Sequence, residues 1–285
     1  MTTLTPTPAH PSQRTRATSL SFAGVLRSEW IKLRSLRSTV WSYLIVVALS
    51  LGMALIMSLS MVSGMSGGAD VSGAPAGEQL TLILQSSVFG VYFGQLVVGV
   101  LGVLVISGEY TTGMIRSTLT AVPKRLPALA AKFAVLFTAT FLVGVLSTLV
   151  AFVASSLVFA SEGVSASLTD PDVYLTLLGG SLYLALVAVF ALGVGTMLRS
   201  SAGGIAAVLG LLLLLPTVLQ MIPADWAQDL IPYLLSTAGL DMFSGAMSGG
   251  DSGDGLNVWQ NLLIVLGWVA ASIAGATVLL KRRDA

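Results

Sequence analysis

The chain has 285 residues, 55% of them hydrophobic and 9% charged, with a net charge of +1 and no cysteine. Soluble domains carry about 25% charged residues, so this composition excludes an ordinary water-facing surface and makes the lipid bilayer the expected solvent. The near-neutral balance supplies no field to attract nucleic acid, and the lack of cysteine excludes disulfides and thiolate metal sites.

Residues 1–19 are rich in Thr, Pro and Ser and are expected to be a disordered cytoplasmic leader. Residues 20–38 read LSFAGVLRSEWIKLRSLRS. Phe22, Leu26, Trp30 and Leu33 fall at helical spacing, with Leu36 near the same stripe, and Arg27, Lys32, Arg34 and Arg37 lie beside or opposite it. The pattern predicts an amphipathic helix on the inner leaflet, its bases turned toward anionic membrane lipid. Such a helix serves either as a plain anchor before the first span or as a connecting helix that also touches a cytoplasmic partner. Glu29 favours the partner, because an acid among bases adds nothing to lipid attraction.

From residue 39 to 285 the chain reads as one membrane domain. Crossing a hydrocarbon layer of about 30 Å takes about 20 apolar residues. Six runs are long enough, near 40–61, 84–106, 132–159, 174–197, 203–222 and 259–280, each free of charge inside, with Lys132 opening the third. Apolar runs without period-2 alternation predict helices and not a β-barrel. The first span lies too far from the N-terminus, without a small-residue cleavage site after it, for a signal peptide. Pro216 is expected to kink the fifth span.

Orientation follows from the bases. All 14 Lys and Arg fall on one side: Arg14, Arg16, Arg27, Lys32, Arg34 and Arg37 before the first span, Arg116, Lys124, Arg125 and Lys132 between the second and third, Arg199 after the fourth, and Lys281, Arg282 and Arg283 after the last. The other side carries only acids: Asp70, Glu78, Glu162, Asp170, Asp172, Asp225, Asp229, Asp241, Asp251 and Asp254. The positive-inside rule then puts both termini in the cytoplasm and requires an even number of spans. On the outer side, 62–83 and 160–173 read as solvated loops. The longer 223–258 predicts short helices at the outer surface, with Trp226, Leu230, Tyr233 and Leu234 on one face, packed at the interface or closing over an exit.

Polar groups inside the spans are few. Gln85 and Gln95 in the second span and Gln220 in the fifth are candidates for inter-helix hydrogen bonds or for a pathway lining. Gly90 and Gly94 in the second span, and Gly267, Ala271 and Gly275 in the last, are small-residue stripes that let helices approach closely. Between the second and third spans stands GEYTTGMIRSTLTAVPKR, Gly108 to Arg125. Ser107 to Val122 predicts one short cytoplasmic helix. Glu109 would sit in its first turn, where an acid suits the helix dipole, and Ile115, Leu119 and Val122 would form an apolar edge.

No phosphate-cradling GxxxxGK[ST], no HExxH, no metal-spaced His cluster and no Ser-His-Asp set occurs, and the single histidine, His10, lies in the leader. No catalytic residue is therefore assigned. The absence of ionisable residues from the spans also argues against a proton-coupled carrier.

Three stretches in order, SEWIKLRSLRST (Ser28–Thr39), GEYTTGMIRSTLTAVPKR and LLSTAGL (Leu234–Leu240), resemble the membrane subunits of type-2 ABC exporters, the ABC-2-type permeases. The resemblance implies an all-α, six-span permease in the bacterial plasma membrane without a fused ATPase domain. It would pair with a second copy of itself or a similar permease and dock separate ATPase subunits, which bind ATP and magnesium; this chain itself would hold no cofactor. The family's coupling helix carries over to Glu109, Gly113 and Arg116, and its N-terminal helix to Glu29, Lys32 and Arg34, as ATPase-coupling residues. The pathway would run between the copies, lined by the second and fifth spans. An uncharged interior suits a lipid, a hydrophobic drug or an amphipathic peptide. Other readings are a non-pumping immunity or sensing component of the same fold, and a channel or carrier acting alone.

Overall fold

The computed structural model describes residues 21–64, 75–113, 125–244 and 256–282, and every element among them is helical. Six helical stretches are long and apolar enough to cross a membrane. α1 (Phe22–Ser35) is followed after the extended Leu36 by the first of them, α2 (Arg37–Val62). The second is built from α3 (Ala76–Val88) and α4 (Val91–Thr111), the third is α5 (Arg125–Ala160), and the fourth is α6 (Pro171–Leu198). The fifth joins α7 (Ser201–Leu209), a π-helical turn (Gly210–Leu214) and α8 (Leu215–Gln220). Then come α9 (Asp225–Leu230), a 3₁₀ turn (Ile231–Tyr233), α10 (Leu235–Ser244) and the sixth long helix, α11 (Val258–Arg282).

α6 is the axis of the bundle: 83% of its apolar window is buried inside the chain, against 22% for α2 and α11. Asp170 caps it, accepting from the Asp172 N–H at 3.0 Å, and Pro171 fills a first-turn position that needs no donor. α4, α5, α11 and α10 all pack on α6. In lipid this packing rests on close van der Waals approach, not on hydrophobic exclusion, which places small residues at the crossings. A Cβ on Gly102 would stand 2.4 Å from the Ala188 carbonyl oxygen, and one on Gly90 would stand 2.4 Å from Ser50 Cα, so each glycine admits a neighbouring backbone.

The large apolar side chains that this packing leaves over point outward, among them Trp41 and Ile56 on α2 and Trp259 and Leu263 on α11. Gly267 has no neighbour within 4 Å of a would-be Cβ and Ala271 is exposed, whereas Gly275 meets Met197 of α6. Only one residue of that stripe therefore serves packing within the chain.

The structure refines the sequence reading in four places. The second long stretch starts at Ala76, so part of the 62–83 loop is helix. α5 begins at Arg125, about two turns before the expected boundary. Just before Pro216, where a kink is expected, stands a π-helical turn: the ring removes an N–H and crowds the preceding turn, and the Leu215 N–H reaches back five residues to the Gly210 carbonyl. Finally, of the short helices expected in 223–258, α10 is held against the bundle. α10 packs against the middle of α6, with Gly239 on the buried ring of Tyr183 and Phe243 on Gly179, and the Trp268 indole donates to the Tyr233 carbonyl at 3.0 Å.

Candidate functional site

Three helix ends meet where the bases cluster in the sequence: the last turns of α1, the C-terminal end of α4 and the first turns of α5. Ser21 caps α1 by accepting from the Gly24 N–H at 3.1 Å, and Leu36 ends it. The buried edge of α1 is Val25, Glu29 and Leu33, at i, i+4 and i+8. The expected stripe is displaced by part of a turn: Phe22 and Leu36 are exposed and Leu26 and Trp30 half-buried. The reason is that the helix seats against α5 through an acid. Glu29 is only 4% exposed.

Its partners are in the same chain. Lys132 Nζ donates to Glu29 Oε2 at 2.5 Å and to Glu109 Oε1 at 2.8 Å. Lys32 Nζ donates to Glu29 Oε1 at 2.8 Å and lies 3.3 Å from Glu109 Oε1. Two lysines thus bridge two carboxylates in a closed, electrically neutral ring that joins α1, α4 and α5. Glu109 and Lys132 are buried, while Lys32 is about a third exposed. Burial alone would push the Glu29 carboxyl up, but Lys132 and Lys32 outweigh it and hold the group below its ordinary value of 4.5. Burial would likewise push Lys32 down, but hydrogen bonding and attraction from Glu29 and Glu109 hold it above 10.5.

The position of Glu109 corrects the expected short helix. Residues 107–111 continue α4, so the acid stands in the last turn of a long helix, not the first turn of a new one. Carbonyl ends repel a carboxylate there, and the two lysines supply the compensation. Gly113, with φ +71°, follows the Thr112 cap in the left-handed region and ends α4. Arg116, with the rest of the expected coupling helix, lies outside the described residues. Arg34 is exposed on α1.

Glu109 Oε2 has no hydrogen-bond partner among the described residues, and the residue lines a cavity of about 320 Å³ with Leu33, Leu36, Leu104 and Val135. Nearby, Arg199 sits in the left-handed region at the end of α6 with its guanidinium 5.3 Å from the centre of the Tyr110 ring. Ser201 donates to Ser107 at 2.9 Å, fixing α7 to α4.

Of the three glutamines, only Gln95 is buried. It accepts from the Tyr183 hydroxyl on α6 and donates to the Tyr92 carbonyl at 3.0 Å. Gln85 and Gln220 are exposed on the outside of the chain. Gly94 is in ordinary contact with Leu184. The sequence reading passed over Lys132 and Arg199 as site residues. Their signal was a lone base at the very edge of an apolar run, where a charge faces a partner or water.

No curated protein matches the chain. The sequence profile described as ABC-2 family transporter protein matches residues 25–217, from the first turn of α1 to α8 and through the whole charge ring. The chain belongs to the ABC-2 family of transporter membrane proteins.

Proposed function

We propose that the chain is the membrane-spanning permease subunit of an ATP-driven exporter. It works as a dimer with separate ATPase subunits that bind ATP and magnesium, in a bacterial plasma membrane with both termini cytoplasmic. The observation that carries this is the closed charge ring. A buried network that ties α1, α4 and α5 at one end of the bundle makes those helix ends a single mechanical unit, and breaking one member leaves an uncompensated charge. Force applied to the exposed bases of α1, such as Arg34, then reaches α4 and α5 through the ring. Glu29 and Glu109 act inside this unit and do not touch the ATPase. The one-sided distribution of bases supports the cytoplasmic assignment.

The test is affinity purification of the full chain in mild detergent from its native membrane, with mass spectrometry and an ATP hydrolysis assay. Recovery of an ATPase subunit with hydrolytic activity is expected, and Arg34→Glu and Arg116→Glu should each lower that recovery without lowering membrane insertion. A chain recovered alone and inactive in several detergents overturns the proposal.

A further inference from the structure

α5 and α11 both pack on α6 but scarcely on each other. The gap between them is a groove of about 670 Å³, walled by Phe133 and Phe137 of α5 and Ile273 of α11 and floored by the buried Leu186 and Val189 of α6. Its lining holds no charged residue, and Thr138 and Thr277 are its only polar ones. A second groove, of about 380 Å³, lies where α1 packs on α5, between Leu26, Arg27 and Trp30 of α1 and Val135 of α5. Both grooves are also lined by Ala134 and Thr138, which are exposed. At i and i+4 of α5, these two small side chains form a low ridge with a groove on either side.

Depth, polarity and charge select the occupant. The stretch of α5 along the larger groove runs from Leu126 to Thr138 and rises about 18 Å at 1.5 Å per residue. That is close to half of an apolar layer of about 30 Å, the depth of one leaflet. It is the leaflet at the base-rich end, because the same stretch of α5 holds Lys132 of the charge ring. Arg27 is exposed and is in no ion pair among the described residues, while Trp30, in the same groove, is half-buried. An arginine fork matches a phosphate, and a tryptophan is at home at the level of lipid headgroups. A second copy suits this face poorly. It would bring its own base-rich end, where the only acids are Glu29 and Glu109, both closed in the ring, and Asp284.

We propose that this face of α5 binds an anionic phospholipid of that leaflet, with the phosphate on Arg27 and the acyl chains in the grooves flanking Ala134 and Thr138. Such binding needs no ATPase, so it stands or falls apart from the exporter reading.

The test is native mass spectrometry of the full-length chain in detergent. The chain is titrated with dioleoyl phosphatidylglycerol, or with dioleoyl phosphatidylcholine, which has the same chains and a zwitterionic head. Tighter binding of phosphatidylglycerol is expected. Arg27→Gln should weaken it about fivefold, the share of one cation near a lipid surface, and leave phosphatidylcholine unchanged. Arg34→Gln removes an equal charge from α1 outside both grooves and should change binding by less than about twofold. Ala134→Phe raises the ridge and should weaken binding of both lipids. Equal binding of the two lipids by the wild type, or a loss no larger for Arg27→Gln than for Arg34→Gln, overturns the proposal. Should Arg27→Gln fail to fold, Ala134→Phe still decides. Unchanged binding of both lipids by that variant overturns the proposal, and a dimer that it splits while lipid binding persists overturns it by giving the face to a second copy.

Discussion

Replacing Lys132 by Met removes the only cation that is itself buried in the ring. Its ammonium lies 2.5 and 2.8 Å from two carboxylates. At an effective dielectric of about 20, each contact is worth about 6 kcal/mol gross, most of which is offset by the desolvation of both ions. What the variant loses is compensation: Glu29 and Glu109 stay buried with only Lys32, about a third exposed, between them. Breaking a buried pair on one side costs about 3–5 kcal/mol. With an unfolding entropy of about 2.1 cal/mol/K per residue, 285 residues convert this to a melting-temperature drop of about 5–8 °C. The assay is thermal unfolding in detergent, followed by tryptophan fluorescence. The decisive comparison is Lys132→Met with Glu109→Gln in one chain. That double variant leaves a single neutral Glu29–Lys32 pair, so it should recover more than half of the lost temperature. The two losses are then strongly non-additive, as expected of residues sharing one network. A Lys132→Met chain melting within 1 °C of wild type, or a double variant no better than the single, would refute the ring as a source of stability.

Further outcomes follow from the same geometry. Gly102→Ala should lower the melting temperature by an amount matching about 1–3 kcal/mol or more, because the new methyl meets the Ala188 carbonyl and cannot be avoided by a rotamer change. Tyr183→Phe leaves the Gln95 oxygen without its donor and should cost about 1–2 kcal/mol by the same measurement, whereas Gln85→Leu on the exposed surface should cost nothing measurable in detergent. Glu29 has a depressed folded pKa, so its contribution is complete above 4.5 and is lost as pH falls through the folded value; melting temperature followed into acid should fall less steeply in Glu29→Gln. Lys32 has a raised folded pKa, so its contribution is complete below 10.5 and is lost as pH rises beyond it; Lys32→Met should flatten that alkaline limb.

The long apolar runs made the six spanning stretches legible, because a charge-free run of that length has few other solutions. Their ends were less legible. α3 continues outward through Glu78 and Gln79, polar residues that read as loop but pose no problem for a helix leaving the bilayer. The charge ring was half legible. Glu29, Lys32 and Glu109 stood out as charges in an apolar chain, but pairing them requires knowing that α1 folds onto α5. No spacing rule joins residues 29, 109 and 132. Glu29 was read as needing a partner from outside, and the structure supplies Lys132 from inside. The packing of α10 on α6 was hidden for a different reason: a hydropathy profile measures how far a run extends, and α10 is too short to register as a span.

α4 runs from the charge ring to the far end of the second spanning stretch. Tyr92 and Glu109 lie on one uninterrupted helix, about 26 Å apart at 1.5 Å per residue. Between them Gly102 presses α4 against the α6 backbone, where a sideways shift of even a methyl radius meets solid contact. A rod held this tightly can slide, tilt or turn as a unit but cannot bend freely. Under the exporter reading, a displacement of the charge ring is therefore carried along the whole of α4 to Tyr92 at its other end.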